Sequence, residues 1–280
     1  MTDDKKIVFC GLPESGKTTF LGALSYLAES NDSSNTLKLE GLQEQRHFFN
    51  LLADTWVDCK PMMRTKVDSQ EFIEMTLSST DLKFNVEMPD LSGETWASIW
   101  SEHEISPVVY SFLNQSSSLA FFIHVDQIST PLNLSEENSM LQGSSRIEPH
   151  SGQLDVWDAN KHASTQAVTV DLLIKASSMM KGANKRVAII LSAWDTVSPD
   201  DQDPQNFINT QMPLLYQYLS SRLDFHDFKI YGVSAQGGCL NEQKDSLLDI
   251  DNPTHRIKVI EVEGTQHHDL TKILSWLVNE

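Results

Sequence analysis

The sequence predicts an α/β protein with three layers, in which a mostly parallel β-sheet with one antiparallel strand lies between two layers of helices. Short runs of β-branched and aromatic residues alternate along the chain with longer segments of helical period, as in βαβ units. Two segments of alternating polarity, 69–79 and 81–93, have room between them only for a tight turn near Thr80 and Asp81. Strands joined so closely run antiparallel, which accounts for the one reversed strand.

The remaining elements follow from local patterns. The segment 185–195 is the most apolar strand candidate, and Leu42, Phe49 and Ala53 share one face of a predicted helix. Strands are predicted, in chain order, over 6–11, 69–79, 81–93, 117–127, 185–195, 228–235 and 255–264. Helices are predicted over 17–30, 40–56, 95–115 with a break at Pro107, 164–180, a segment holding Phe207, Leu214, Leu215 and Leu219, and 269–278.

Length and charge limit the classes of function. No stretch rich in Pro or Gly divides the 280 residues, so one domain over 1–280 is predicted, with a polar inserted loop around 128–163. The 39 acidic and 21 basic residues give a formal net charge of -18, which opposes binding to nucleic acid. The one basic cluster, 181–186, is typical of a solvated turn before a strand.

Cysteine spacing and hydropathy predict a cytoplasmic protein. Cys10, Cys59 and Cys239 have no CxxC spacing, which favours reduced thiols, and Cys10 is predicted to lie in the core. The first residues are charged and lead directly into a strand, without the apolar segment of a signal peptide. No run of 18 apolar residues is present, so we expect no contact with a membrane.

The segment from Gly11 to Thr18 matches the phosphate-binding pattern G-x-x-x-x-G-K-[ST], between a predicted strand and a predicted helix. In such a loop, glycines let backbone N–H groups turn inward around a β-phosphate. Lys17 is predicted to contact the β and γ oxygens, and the Thr18 hydroxyl to ligate Mg²⁺. The sequence therefore predicts a site for a nucleoside triphosphate, with these residues around the phosphates: Glu14, Ser15, Gly16, Lys17, Thr18 and Thr19.

A second pattern, D-x-x-G, runs from Asp90 to Gly93 at the end of a predicted strand. In a mononucleotide-binding fold, that strand end lies across from the phosphate-binding loop. A carboxylate there can hold Mg²⁺ through water, and a glycine N–H can meet the γ-phosphate. We therefore expect Asp90 at the metal and Gly93 at the nucleotide.

Two further segments complete a resemblance to Ras-like and translation-factor-class P-loop GTPases. Ser192-Ala193-Trp194-Asp195 resembles a degraded base-recognition motif, and Ser234-Ala235 is similar to the S-A loop of that family. The resemblance implies GTP and GDP as ligands, with Asp195 accepting from the guanine N1–H and 2-amino groups and the Ala235 N–H reaching O6. Ala193 stands where the family has a lysine whose stem covers the base. This departure predicts weaker affinity and leaves the choice between GTP and ATP open.

The same resemblance implies residues that sense and hydrolyse the γ-phosphate. Thr65 is in the place of the switch threonine that coordinates Mg²⁺, and Arg64 beside it is either an internal arginine finger or a solvated residue. Glu94 follows D-x-x-G, where Ras-like proteins carry a glutamine that orients water. A carboxylate adds like charge beside the γ-phosphate, so slow turnover is expected; the alternative is an acid that stabilises a helix N-terminus.

The spacing of the motifs adds a more specific resemblance. Lys17 and Asp90 are 73 residues apart and Asp90 and Asp195 are 105 apart, whereas minimal Ras-like domains are more compact. With its closing segment 262–277, the chain resembles the divergent double-GTPase proteins predicted to act in bacterial conflict or antiviral systems. The adjacent His267 and His268 are not expected to converge on a metal.

The predicted function is a slow, Mg²⁺-dependent GTPase that acts as a switch on a protein effector or activator; no feature indicates an oligomeric state. Trp96, Trp100 and the pair Met62 and Met63 are either a contact patch near the switch segments or core. One alternative is an ATPase or nucleotide kinase. The chain lacks a basic, arginine-bearing lid for such an enzyme, because the insertion 128–163 has only Arg146 and Lys161 as basic residues. Another is a pseudo-GTPase that holds nucleotide as a structural ligand, as Ala193 and Glu94 favour.

Overall fold

One sheet organises the protein. The computed structural model describes residues 5–30, 37–40, 45–62, 72–89, 93–130, 163–198 and 203–279. Within these ranges the sheet has nine strands, in the spatial order β2-β3-β4-β1-β5-β6-β7-β8-β9. The strands are β1 (Lys5–Gly11), β2 (Lys38–Glu40), β3 (Ile73–Ser78), β4 (Lys83–Met88), β5 (Ser118–His124), β6 (Arg186–Ser192), β7 (Asp227–Ser234), β8 (Lys258–Ile260) and β9 (Gln266–His267).

The centre of the sheet is parallel and its edges are not. β4, β1, β5, β6 and β7 run in one direction. β3 runs against β4, and the tight turn between them is closed by the Ser79 N–H, which donates to the Leu82 carbonyl at 2.7 Å. The predicted fold class is confirmed. The structure adds a second reversed strand, β8, at the other edge, antiparallel to both β7 and β9.

Helices cover both faces of the sheet, as three layers require. They are α1 (Lys17–Glu29), α2 (Arg46–Val57), α3 (Glu94–Glu102), α4 (Pro107–Leu113), α5 (Thr165–Met179), α6 (Pro204–Gln211), α7 (Pro213–Ser221), α8 (Leu240–Leu248) and α9 (Thr271–Val278). Ile7 and Phe9 point to the core formed with α1, α2 and α9, while Val8 and Cys10 point to the core formed with α3 to α7. Cys10 is fully buried, as predicted, and this burial raises the pKa of its thiol.

Pro107 and Pro213 each begin a helix. The predicted segment 95–115 is two helices, and the break covers residues 103–106, before Pro107. Proline lacks an N–H that the first turn of a helix does not use, and the Ser106 hydroxyl caps α4 by accepting from the Val109 N–H at 3.3 Å. In the same way, the single helix predicted around Phe207 to Leu219 is divided, because Pro213 starts α7 directly after α6.

Two predictions were wrong in their bounds, and one helix was missed. The helix predicted over 40–56 begins only at Arg46, and Glu40 belongs to the edge strand β2. The strand predicted over 255–264 is only the three residues of β8, with a 3-10 turn on each side. The segment before it, which shows no clear pattern in the sequence, contains α8. Among the residues described, no helix has both the length and the apolar character needed to cross a bilayer.

The C-terminal helix α9 is held by side chains that reach its last carbonyl groups. Arg186 Nη1 donates to the Trp276 carbonyl at 2.9 Å, the Ser118 hydroxyl to that of Leu277 at 2.7 Å, and Lys5 Nζ to that of Val278 at 2.7 Å. Such carbonyls have no partner within the helix, and cations near them also favour the helix dipole. The three donors stand at the starts of β1, β5 and β6, so they fix α9 to one end of the parallel sheet.

Replacing Arg186 with Met is expected to destabilise the protein by about 1–3 kcal/mol, because it removes a charge-assisted hydrogen bond to a helix end. It also removes the contact of the guanidinium with the Trp276 ring, 5.7 Å from the ring centroid. Arg222→Met is the matched control, since Arg222 is exposed, and should change stability by less than about 0.5 kcal/mol. Denaturant unfolding measures both, and equal losses would contradict this role of Arg186.

Candidate functional site

The segment 11–18, here called the P-loop, connects β1 to α1 through backbone conformations that require glycine. Gly16 has φ 89°, and a Cβ there would lie 2.8 Å from the Ser192 side chain. A Cβ on Gly11 would lie 2.7 Å from the Phe122 carbonyl oxygen. Glu14 has a positive φ as well, at 59°. The loop therefore turns sharply while pressed against β5 and β6, as the sequence pattern predicts.

Lys17 places its ammonium group inside the P-loop. The side chain is buried, and Nζ donates to the carbonyl oxygens of Gly11 and Leu12, both at 2.8 Å. Nζ also lies 3.1 Å from the Ser15 hydroxyl. These bonds fix a positive charge at the N-terminal end of α1, where the helix dipole also favours an anion. Thr18 and Thr19 follow in the first turn of α1, half-buried.

Gly93 lies against the P-loop, on the side predicted for it. Its φ is 79°, and a Cβ would lie 2.6 Å from the carbonyl carbon of Leu12 and from the nitrogen of Pro13. Glu94, directly after it, begins α3 and is exposed. The end of the D-x-x-G pattern is thus beside the P-loop backbone. The roles predicted for Gly93 and Glu94 remain predictions.

The predicted base-recognition segments also meet this edge of the sheet. Ser192 ends β6, and its hydroxyl lies 2.9 Å from the Ser15 carbonyl oxygen, which ties β6 to the P-loop. The Ser234 hydroxyl, at the end of β7, donates to the Asp195 carboxylate. The Gly237 N–H donates back to the Ser234 oxygen at 3.0 Å. Asp195 itself is exposed, so one carboxylate oxygen is held by the neighbouring loop while the group faces solvent.

Of the other two residues in the degraded motif, Ala193 lines the site and Trp194 lies in the core. Ala193 has a left-handed backbone, with φ 55°, and its methyl group lines the site. Trp194 is buried in the opposite direction and stacks edge-on with Phe207 at 5.2 Å between ring centroids. Gly232 on β7 leaves the space that its indole needs, because a Cβ there would lie 2.4 Å from the ring. Trp194 is therefore a core residue.

A cavity of about 260 Å³ joins the P-loop to these segments. It extends from Gly16 and Thr19 to Asp195 and Ala235, so residues from both predicted ends share one space. Its remaining lining includes polar residues that the sequence analysis missed: His124, Asp126, Thr196, Gln236 and Cys239. A signal for the first two was present, because His124 ends the buried strand β5, Asp126 follows two residues later, and the carboxyl ends of parallel strands meet at one edge.

The missed residues are connected to the predicted ones. The Thr196 hydroxyl oxygen lies 2.8 Å from Asp126 Oδ1 and 2.8 Å from the Ala193 carbonyl oxygen. Its single proton can serve only one of these acceptors at a time. Gln127 Nε2 donates to Glu14 Oε2 at 3.4 Å, which links the end of β5 to the P-loop.

Several predicted site residues lie outside the described ranges. These are Arg64, Thr65 and Asp90, together with Met63 and the part of the polar insertion that holds Arg146 and Lys161. Of the proposed contact patch, Trp96 is buried in the core, while Trp100 and Met62 are half-buried and pack against the two cores. The core interpretation therefore holds for Trp96.

The adjacent histidines have separate partners. His267 Nε2 lies 3.1 Å from Glu261 Oε1, and His268 Nδ1 lies 2.5 Å from the Ile257 carbonyl oxygen. Burial lowers the pKa of His267, and the hydrogen bond with Glu261 acts in the opposite direction. Within the described ranges, no group of three or more His, Cys, Asp or Glu side chains is arranged to hold a metal ion.

Comparison with solved structures gives distant likenesses. The bacterial selenocysteine-specific elongation factor EF-Sec is 14% identical, with a TM-score of 0.39, over 88% of this chain and 28% of that protein. The small GTPase Arl6 (BBS3) of Trypanosoma brucei, solved with the nucleotide analogue GppNp, is 11% identical, with a TM-score of 0.40, over 87% of this chain and 95% of that one. Sup35, solved with GDP, is 13% identical, with a TM-score of 0.36, over 85% of this chain and 39% of that one.

Comparison with sequences gives a more direct result. The chain spans less than a third of the elongation factor's length, and a search of curated proteins gives no match. The family model described as Double-GTPase 1, by contrast, matches residues 8–277. That range begins in β1 and ends in α9, so it includes the P-loop, the Asp195 segment and the Ser234 loop. The chain therefore belongs to the Double-GTPase 1 family and is, by that membership, a GTP-binding protein.

Proposed function

We propose that this chain binds Mg²⁺·GTP in the cavity between the P-loop and Asp195, hydrolyses it slowly, and acts as a nucleotide-dependent switch on a protein partner. The observation that carries the proposal is the shared cavity. Gly16 and Thr19 line one end, on either side of Lys17 in the sequence, and Asp195 and Ala235 line the other. The Ser192 contact with Ser15 joins the two ends. A phosphate site and a base-reading carboxylate in one space fit a nucleotide.

At the phosphate end, the P-loop offers N–H donors and one fixed cation. Gly11, Gly16 and Gly93 are each packed so closely that a Cβ would meet neighbouring atoms at 2.6–2.8 Å, so no side chain can project from these three positions. The N–H groups at a helix N-terminus have no partner within the helix and can donate to an anion. The β-phosphate is assigned to this loop, and the γ-phosphate to its Gly93 side.

At the base end, Asp195 provides an acceptor that matches guanine. Its carboxylate can accept hydrogen bonds from the guanine N1–H and the 2-amino group, whereas adenine has no N1–H to donate. The bond from Ser234 fixes the orientation of the carboxylate before the base arrives. GTP is therefore proposed over ATP even though Ala193 offers only a methyl group to cover the base.

The residues that would hold Mg²⁺ fit that ion in their chemistry. Thr18 presents a hydroxyl oxygen in the first turn of α1, next to the buried Lys17, and Mg²⁺ prefers oxygen ligands. Thr65 and Asp90 remain the predicted further ligands. When bound, the ion neutralises charge on the β- and γ-phosphate oxygens.

For hydrolysis, Glu94 is the residue proposed to orient the attacking water. It follows Gly93, whose backbone touches the P-loop, and its side chain is exposed at the start of α3. The carboxylate can accept a hydrogen bond from water, but its charge repels the γ-phosphate. Slow turnover follows from this conflict. Arg64 remains the predicted internal arginine finger that would offset the charge.

The switch role belongs to the same proposal. In it, the segments around Thr65 and from Asp90 to Trp96 change with the γ-phosphate and signal to a protein effector or activator. Gly93 supports this idea because it couples the start of α3 to the P-loop backbone. A cytoplasmic location and a setting in a bacterial conflict or antiviral system stay predictions, and the second of these rests on the resemblance alone.

A pseudo-GTPase is the second candidate function. Ala193 lines the cavity with one methyl group, and Glu94 brings negative charge to the position of the water-orienting residue. Both features favour a protein that holds nucleotide without turning it over. Phosphate release from bound GTP, with and without candidate partners, separates the two functions.

Replacing Lys17 with Ala is expected to weaken GTP binding by about ten- to a hundredfold, because it removes a charge-assisted contact to the phosphates. Isothermal calorimetry with GTP and with ATP, at equal concentration, measures the loss and the preference. Lys83→Ala is the control, since Lys83 is exposed and pairs with Glu40 at the sheet edge. Preferential binding of ATP by the wild-type protein would remove the GTPase proposal.

Replacing Asp195 with Asn is expected to lower GTP affinity at least about tenfold and to raise affinity for xanthosine triphosphate. An amide presents a donor where the carboxylate accepts, and xanthine carries an oxygen in place of the 2-amino group. Competition between the two nucleotides measures the change. Asp245→Asn, on the exposed face of α8, is the control. An unchanged preference for GTP in the Asp195 variant would show that this carboxylate does not read the base.

Replacing Glu94 with Gln is expected to raise the rate of GTP hydrolysis about tenfold with little change in GTP affinity, because the amide can still hold a water but carries no charge. Single-turnover phosphate release measures this rate. Glu102→Gln, at the other end of α3, is the control for a charge change on that helix. No turnover in either the wild-type or the Glu94 variant would favour the pseudo-GTPase.

A further inference from the structure

The end of α2 contacts the loop that is proposed to read guanine. Trp56 is fully buried, and its indole Nε1–H donates to the Ala235 carbonyl oxygen at 2.9 Å. In return, Gln236 Nε2 donates to the Trp56 carbonyl oxygen at 3.4 Å. Two successive residues of the loop are thus bonded to one residue of α2.

Arg256 stabilises this contact by packing against the Trp56 ring. It is buried, its guanidinium lies 4.5 Å from the centroid of the Trp56 ring, and both terminal nitrogens donate to the Val57 carbonyl oxygen at 3.2 Å. Nη1 also contacts the Cys59 sulfur. No carboxylate of the described chain forms an ion pair with it, so the charge is stabilised by carbonyl groups and an aromatic ring.

Arg256 also restricts the backbone of the loop 234–237, the loop proposed to read guanine. A Cβ on Gly237 would lie 2.5 Å from the Arg256 carbonyl oxygen, so the backbone of the loop is pressed against this residue. Gly237 has φ 91°, which only glycine adopts without strain. The packing leaves the loop 234–237 little freedom on the side away from the cavity.

The loop is therefore held at two points that flank the Ala235 N–H. On one side, Ser234 is fixed by the Asp195 carboxylate and the Gly237 N–H. On the other, the Ala235 carbonyl is fixed by Trp56. A backbone N–H that must meet one ligand atom at hydrogen-bond distance loses little entropy on binding if the peptide units around it are already fixed.

We propose that Trp56 is a positioning residue for guanine recognition: its bond to the Ala235 carbonyl orients the Ala235 N–H toward the O6 atom of the base. The inference rests on the proposed GTP site. It adds to that site a residue outside the cavity, on α2, which is far from Ala235 in the sequence. Arg256 acts through Trp56, because its guanidinium packs against the Trp56 ring. Gln236 adds a second hydrogen bond between the loop and Trp56.

The test is Trp56→Phe, which keeps an aromatic ring but removes the Nε1–H. GTP affinity is expected to fall about three- to tenfold, the usual effect of losing one hydrogen bond. Two analogues give a readout that a merely structural role would not move. In 6-thio-GTP a weaker acceptor replaces O6, whereas inosine triphosphate keeps O6 and lacks the 2-amino group that Asp195 is proposed to read.

The ratio of GTP to 6-thio-GTP affinity is expected to fall in Trp56→Phe, and the ratio of GTP to inosine triphosphate affinity to stay as in the wild type. Trp276→Phe is the matched control, because Trp276 lies on α9 and contacts Arg186 and Lys229 rather than the loop. Gln236→Met is a milder second variant, half-buried at the cavity, and should change the same ratio in the same direction.

Folding of each variant is checked by its melting temperature. If both affinity ratios stay unchanged in a folded Trp56→Phe and in Gln236→Met, the positioning role is overturned while the GTP site stands. If the wild-type protein binds GTP no better than ATP, the proposed function itself has failed, and that outcome is visible before any variant is made. A selective fall of the O6-dependent ratio supports the proposal.

Discussion

The close approach of the P-loop to the ends of β5 and β6 is the constraint on which the site depends. A Cβ on Gly16 would lie 2.8 Å from the Ser192 side chain, and one on Gly11 would lie 2.7 Å from the Phe122 carbonyl oxygen. The Ser192 hydroxyl also donates to the Ser15 carbonyl oxygen. Side chains at these glycines would separate the loop from the sheet by more than the packing allows. Because the same strand ends carry Asp195 and, one strand further, Ser234, the distance between phosphate and base positions is set by the sheet itself.

Features formed by one continuous stretch of sequence could be predicted, whereas contacts between residues far apart in the chain could not. The P-loop and its flanking elements were predictable because one strand, one loop and one helix are continuous in the chain. The break predicted at Pro107 is present, with Pro107 as the first residue of α4, whereas the division at Pro213 was missed because apolar residues of helical period lie on both sides of it. The bond between Trp56 and Ala235 joins residues 179 apart, and no short pattern marks such a pair.

The extra residues between the P-loop helix and the predicted switch threonine acquire a physical meaning in this fold. They form β2 at the sheet edge and α2 against α1, and the end of α2 reaches the loop after β7. The chain then continues through Cys59 and Met62 toward the segment with Thr65. The residues that lengthen the route to the predicted switch threonine thus also contact the loop that is proposed to read the base.

Net charge and local charge act in opposite directions at this site. A protein with a net charge of -18 repels a polyanion along its whole length, yet the phosphates of a single nucleotide are proposed to meet only the P-loop, with its amides, its helix N-terminus and Lys17. Repulsion from distant carboxylates is screened over about 8 Å at physiological ionic strength, whereas these contacts are not. Glu14 and Glu94 are the exceptions, because they are exposed next to the P-loop turn and to Gly93. Glu94 follows Gly93, on the side where the γ-phosphate is proposed to lie, so its negative charge opposes hydrolysis there.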